Sequence, residues 1–178
     1  MERLHVDREK IGIIIGKQGR VKKLLEQELD VKIKISSSGA ITIEGDTLNA
    51  YRATHVLQAI AFGFSPDSAL ELKNPEFSFE TINVKNFAES KKRISEIKGR
   101  LIGKGGRVKR VIQDLGSVDI CITENRIGLL GEASNVEFAR KAIQTLLRGA
   151  KHSRVFKTFE QKNRSFRRSN LKKAIRNV

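Results

Sequence analysis

An eleven-residue glycine loop occurs twice in this chain, and its repetition limits the possible folds more than any other feature. The first copy is Gly12-Ile13-Ile14-Ile15-Gly16-Lys17-Gln18-Gly19-Arg20-Val21-Lys22. The second is Gly99-Arg100-Leu101-Ile102-Gly103-Lys104-Gly105-Gly106-Arg107-Val108-Lys109. Eight of the eleven positions are identical. The match continues downstream: Val31, Ile33 and Ile35 correspond to Val118, Ile120 and Ile122. After a one-residue deletion, Gly45 pairs with Gly131, Ala53 with Ala139 and Gly63 with Gly149. A 178-residue chain with such an internal repeat reads as two small domains of one kind.

Each copy shows the same order of elements. In the first, Val6 lies in a short alternating run, a strand signal, and Glu9 to Ile15 reads as a helix that stops at Gly16. After the loop, Val21, Leu24, Leu25 and Leu29 recur at helical spacing. Val31, Ile33 and Ile35 alternate with lysines, as in a half-buried strand, and Ser36 to Gly39 turns the chain into a strand at Ile41 and Ile43. Asp46 then opens a longer helix. The second copy repeats this order, with a first strand at Phe79, Ile82 and Val84 and a pre-loop helix from Ser90 to Leu101. Between the copies, Ser65-Pro66-Asp67 is a helix start, and a short helix over Pro66 to Leu72 ends before Asn74-Pro75. The expected boundaries are 1–75, 76–150 and a basic segment 151–178.

The formal charge is +15 and the isoelectric point about 10.2, which points to a polyanion: nucleic acid or an anionic membrane surface. The segment 150–178 holds ten basic residues and one acid. Val155, Phe156 and Phe159 are placed to anchor a helix there, and beyond Asn163 the sequence predicts fraying unless a polyanion orders it. No run nears the roughly 18 apolar residues of a membrane span, and Met1 to His5 holds no apolar signal-peptide core. The single Cys121 excludes an intramolecular disulfide and fits a reducing, cytoplasmic setting. His5, His55 and His152 have no ligand spacing, so no metal, cofactor or catalytic group is expected.

Three glycine-loop chemistries compete. A nucleotide P-loop needs four residues between its glycines and Ser or Thr after the lysine. Gly12 and Gly16 enclose three, and Gln18 or Gly105 follows the lysine. A dinucleotide fingerprint needs G-x-G-x-x-G after a strand, a spacing absent from both copies. The remaining reading is a G-x-x-G loop between two helices, which clamps the sugar-phosphate backbone of about four nucleotides. Glycines remove Cβ atoms that would hold a phosphate off, and the second helix starts at the loop with its positive dipole end toward the anion. Lys17, Arg20, Lys104 and Arg107 add charge. Beside the loop, Ile15, Val21, Ile33 and Ile35, or Ile102, Val108, Ile120 and Ile122, line a candidate base groove and are expected to be partly core.

With the flanking elements in this order, both copies resemble type I KH domains: α+β units of a three-stranded antiparallel sheet with helices on one face. The linker Gly63 to Leu70, the segment Ile97 to Gly106 and the basic end from His152 resemble more narrowly the archaeal two-KH proteins related to the eukaryotic assembly factor "partner of Nob one". The chain is expected to be a monomer, and the resemblance implies binding of single-stranded RNA near the 3′ end of 16S ribosomal RNA. It also implies work alongside the Nob-one endonuclease, the rRNA dimethyltransferase and other proteins of the translation machinery. The expected RNA-binding set is Gly16, Lys17, Gln18, Gly19, Arg20 and Lys22 in the first copy. In the second it is Gly99, Arg100, Ile102, Gly103, Lys104, Gly105, Gly106, Arg107, Val108, Lys109, Ile120 and Ile122. Gly103 to Gly106 is expected to be the principal clamp. An RNA-decay accessory, a scaffold in which one domain docks a protein, and a nuclease stand as rival readings.

Overall fold

The structure is a computed structural model that describes residues 1–176, with side chains through Arg164. It separates into two compact units, Met1–Glu80 and Thr81–Val178.

In the first unit, strand β1 (Glu2–His5) is followed by helix α1 (Arg8–Ile15), a 3₁₀ turn over Lys17–Gly19 and helix α2 (Arg20–Leu29). Strands β2 (Val31–Ile35) and β3 (Ala40–Gly45) and helix α3 (Thr47–Phe62) come next. The sheet order is β1–β3–β2, antiparallel throughout, with Leu4 opposite Ile41 and Ile33 opposite Ile43. Alternation sends Val31, Ile33, Ile41 and Ile43 to the helix side, and they are buried together with Ile14, Leu25 and Leu57 of the helices. Asp46 caps α3, its carboxylate accepting from the Leu48 N–H at 3.0 Å.

The connecting helix α4 (Pro66–Leu70) starts as the sequence predicts, with Ser65 Oγ accepting from the Ser68 N–H at 3.1 Å. It does not run on to Leu72. The chain tightens into a 3₁₀ turn over Glu71–Lys73, because Asn74 precedes a proline and takes extended angles (φ −75°, ψ 124°). This connector packs on α2 and α3, burying Phe64, Ala69 and Leu72. Phe62, Phe64 and Phe79 stack around it with ring centroids 5.5 to 6.0 Å apart.

Strand β4 (Phe77–Asn83) runs across the division at Glu80, and the second unit continues the repeated plan with helix α5 (Lys91–Ile102), a 3₁₀ turn over Lys104–Gly106 and helix α6 (Arg107–Gly116). Strands β5 (Val118–Ile122) and β6 (Arg126–Glu132) and helix α7 (Ala133–Leu147) follow. The sheet order is β4–β6–β5. Val84 lies past the end of β4, in a 3₁₀ turn over Val84–Phe87, where its N–H donates to Asn125 O at 2.8 Å. It is fully buried there, so its apolar character reports the core and not the strand.

Helix α8 spans His152–Arg176. The expected fraying beyond Asn163 falls almost wholly on residues 165–178, which lie outside the residues whose side chains are described; the segment lacks Gly and Pro and is rich in Lys and Arg, both good helix formers. Its first part docks on α6 and α7. Val155 and Phe159 are buried, and the Phe159 ring meets Phe138 edge-on with centroids 5.1 Å apart. Asn163 Nδ2 donates to Leu115 O at 2.9 Å. Lys162 Nζ donates to Asn135 Oδ1 at 2.8 Å over the Phe138 ring, and burial lowers its pKa from the ordinary lysine value.

Phe159 is fully buried, and a Cβ on Gly116 would stand 3.1 Å from its ring. Phe159→Ala is expected to destabilise the second unit by about 3–5 kcal/mol. Chemical denaturation should show a transition that moves to lower denaturant; an unmoved midpoint would mean that α8 does not complete this core.

Candidate nucleic-acid interface

The two glycine loops have one backbone shape. Gly16 ends α1 at φ 69°, ψ 177°, and Gly103 ends α5 at φ 73°, ψ 173°. Gln18 and Gly105 are left-handed, at 55°, 29° and 60°, 26°. Gly19 and Gly106 are left-handed too, at 74°, 12° and 76°, 9°. The first loop glycine occupies a region open essentially to glycine alone. A Cβ on Gly16 would also lie 2.3 Å from Val21 Cγ2, and one on Gly103 would lie 2.4 Å from Val108 Cγ2. Gly16 and Gly103 are thus glycines for their own domain's sake, because the missing atom would face inward. The argument from phosphate approach holds at Gly19 and Gly106, where a Cβ would meet open space.

The 3₁₀ turn changes which donors face outward. Gly19 N–H donates to Gly16 O at 3.2 Å and Arg20 N–H to Lys17 O. The second loop does the same, with Gly106 N–H to Gly103 O at 3.1 Å and Arg107 N–H to Lys104 O. The loop N–H groups with no acceptor among the described residues are those of Lys17 and Gln18, and of Lys104 and Gly105. Two adjacent free donors, a helix N-terminus behind them and exposed Lys and Arg side chains make each loop a cationic cradle.

The expected contact residues divide. Lys17, Gln18, Arg20, Lys104, Gly105 and Arg107 are exposed at the loops. Gly99 lies on the outer face of α5, with nothing near its absent Cβ. Ile102 is 37% exposed, and Ile15, Val21, Ile35, Val108 and Ile122 are half-buried along the groove. Ile33 and Ile120 are core residues, at 1% and 4%, because strand alternation turns them under the helices. The Ile120 side chain is therefore turned away from the expected groove. Arg100 is engaged within its own unit. Its guanidinium donates to Ala150 O at 2.6 Å and to Leu146 O and Gly149 O at 3.4 Å, tying the α7–α8 turn to α5. His152 Nε2 bonds Arg100 O at 2.9 Å. Among the described residues no group of three or more His, Cys, Asp or Glu is placed to hold a metal, and no helix is long and apolar enough to cross a membrane.

One polar group in the first groove lies outside the set that the sequence picks out. Glu26 Oε1 accepts from the Ile33 N–H at 2.8 Å and forms an ion pair with Lys22 Nζ at 3.5 Å. Its counterpart 87 residues on is Gln113. That difference is the available signal, visible only when the repeats are laid side by side past the loop.

Residues 1–59 match the family model described as the KH domain, and residues 78–164 match one described as the eukaryotic type KH domain, type I. The chain is 36% identical over 174 residues to KH domain-containing protein MJ0443 of Methanocaldococcus jannaschii, covering 95% of this chain and 77% of that one. The chain belongs to the archaeal PNO1-like KH proteins. The Drosophila melanogaster RNA-binding protein pno1 is 34% identical over 115 residues, and the chain spans about half (47%) of its length. A crystal structure from Aeropyrum pernix of a protein of unknown function shares the fold at TM-score 0.89, with 28% identity and 98% and 97% of the two chains covered. A complex of a/eIF2alpha, aDim2p and rRNA from Pyrococcus horikoshii matches at TM-score 0.83 and 28% identity, covering 92% of this chain and 94% of that one.

Alanine at the four loop glycines is expected to separate their roles. At Gly19 and Gly106, the left-handed backbone alone should cost about 1–2 kcal/mol per site. At Gly16 and Gly103, overlap with Val21 or Val108 should raise the loss above that. Urea melts of the four variants check the order; equal losses would show that the valine contact does not constrain the loop.

Proposed function

We propose that this chain is an RNA-binding protein of small-subunit ribosome assembly. It holds single-stranded RNA, near the 3′ end of 16S rRNA, through its two Gly-Lys-x-Gly loops, and performs no chemical step of its own. The observation that carries this reading is the pair of loops with matching dihedrals, each presenting two unbonded backbone donors beside an exposed lysine and arginine. Such a cradle fits successive phosphates of one strand, and the half-buried apolar groove beside it fits unstacked bases. The P. horikoshii relative in complex with rRNA supports the ligand, and the Yarrowia lipolytica relative named pre-rRNA-processing protein PNO1 supports the setting. That complex also contains a/eIF2alpha, which supports a protein partner of the translation machinery. The Nob-one endonuclease and the rRNA dimethyltransferase, in the cytoplasm, are further partners that the family resemblance favours.

Two clamps on one strand raise effective concentration, so the pair should bind more tightly than either alone. Replacing Lys17 and Gln18 by Asp, or Lys104 and Gly105 by Asp, sets negative charge against the phosphates; Asp tolerates the left-handed position. Each double replacement is expected to weaken binding of a short single-stranded RNA by roughly tenfold or more, the scale of one charge-assisted hydrogen bond. Affinity that survives both, with the circular dichroism of the fold intact, would refute the clamp.

The basic residues from Arg164 on add sequence-independent attraction in this reading; their side chains beyond Arg164 lie outside the described residues. Deleting 164–178 is expected to flatten the plot of log affinity against log salt by about 0.7 for each phosphate that the segment neutralises. An unchanged slope would remove the segment from the RNA-facing surface.

A further inference from the structure

The two grooves share a shape but differ in charge and in one backbone donor. Strands β2 and β5 are each at the edge of their sheet, and an edge strand presents unpaired backbone groups. Helices α2 and α6 pack on these strands, and in the first unit one such group, the Ile33 N–H, reaches a side chain of α2. A base that leaves a clamped phosphate backbone meets that edge, and its polar rim needs donors or acceptors there.

In the first unit the central donor of the edge is already taken. Ile33 stands opposite Ile43, yet its N–H is bonded by Glu26 Oε1 at 2.8 Å, and Lys22 closes over the same oxygen at 3.5 Å. The hydrogen bond is charge-assisted, the stronger class. The Glu26 side chain is 26% exposed, and its carboxylate occupies the Ile33 N–H. In the second unit Ile120 holds the same register, opposite Leu129. Seven residues earlier is Gln113, as Glu26 is seven residues before Ile33, but the Gln113 side chain makes no hydrogen bond among the described residues. Lys109, the counterpart of Lys22, has no acid partner among them either.

We infer that the residue at this position divides the work of the two clamps: Glu26 closes the first groove to base edges, and Gln113 leaves the second open. The first unit then holds RNA through phosphates alone, without base choice. The second holds phosphates and reads an acceptor on the base through the Ile120 N–H, with the Gln113 amide and Lys109 beside it. This inference rests on the RNA-clamp reading above and adds which unit carries sequence preference.

The test follows backbone amides of the intact chain by NMR while a short single-stranded RNA of mixed sequence is added. In the native protein the loop amides Lys17, Gln18, Lys104 and Gly105 should shift, the Ile120 amide should shift with them, and the Ile33 amide should stay. Glu26→Gln should bring the Ile33 amide into play and raise affinity roughly fivefold, the scale of one unit charge taken from beside a phosphate at high effective dielectric. Gln113→Glu should silence the Ile120 amide and lower affinity by a similar factor. Both replacements are nearly isosteric at half-buried positions, and the native titration stands without them. Equal responses of Ile33 and Ile120, a silent Ile120 beside responsive loops, or unchanged affinity in both variants would overturn the division while leaving the clamps in place. If no loop amide responds, the clamp reading fails and this inference fails with it.

Discussion

The contact on which each unit depends is between a valine methyl and a missing atom. Val21 Cγ2 and Val108 Cγ2 occupy the space where a side chain on Gly16 or Gly103 would stand. That packing allows the helix before the loop to stop in a glycine-only conformation and the next to begin after one 3₁₀ turn. The turn uses two N–H groups internally and leaves two facing solvent. Core packing and ligand cradle are therefore one structure: the donors stay in place because the valine holds the backbone that carries them. Binding costs less when the groups are fixed beforehand, which is the physical value of so tight a loop.

A unit of this size buries too little surface to be indifferent to what covers its helices. The repeats solve this with different segments on corresponding faces. In the first unit the connector packs on α2 and α3 through Phe64, Ala69 and Leu72. In the second, α8 packs on α6 and α7 through Val155 and Phe159. The cover has consequences for charge. Arg100, His152 and Lys162 all belong to regions that read as RNA-facing, and all are engaged within the second unit. The basic surplus of the chain is thus not a uniform coat. Its first part fastens a helix, and only residues outside that seam remain to meet a polyanion.

Much of this is legible because the repeat supplies two readings of each element. Strand alternation, the Asp46 and Ser65 caps and the helix ends at Gly16 and Gly103 are local signals, and local physics decides them. What the sequence does not show are contacts made at long range. Arg100 looks like any arginine next to a phosphate loop until the carbonyls of residues 146–150 are placed around it. Ile120 looks like a groove residue because alternation gives a face without saying which face is the groove. The 3₁₀ turn is hidden because three residues carry too little periodicity to separate it from the helix that follows. The role of Gly16 is hidden for a related reason, since a sequence shows that a Cβ is absent but not where it would have pointed.

The asymmetry between the clamps illustrates how sequence and structure correct each other. Gly105 fits the left-handed turn without strain, whereas Gln18 adopts the same angles at a cost of about 1–2 kcal/mol. From sequence, that difference makes the second loop the better clamp. Yet the two loops have nearly the same dihedrals, so the cost is already met in folding the first unit and leaves no mark on the shape offered to RNA. Any difference in binding must arise from groups around the loop. The nearest that differ in kind are Glu26, with its grip on Lys22 and the Ile33 N–H, and the unbonded Gln113. On the division proposed above, preference for the second clamp moves from the loop to the helix behind it, where one carboxylate changes both the local charge and the donor available to a base.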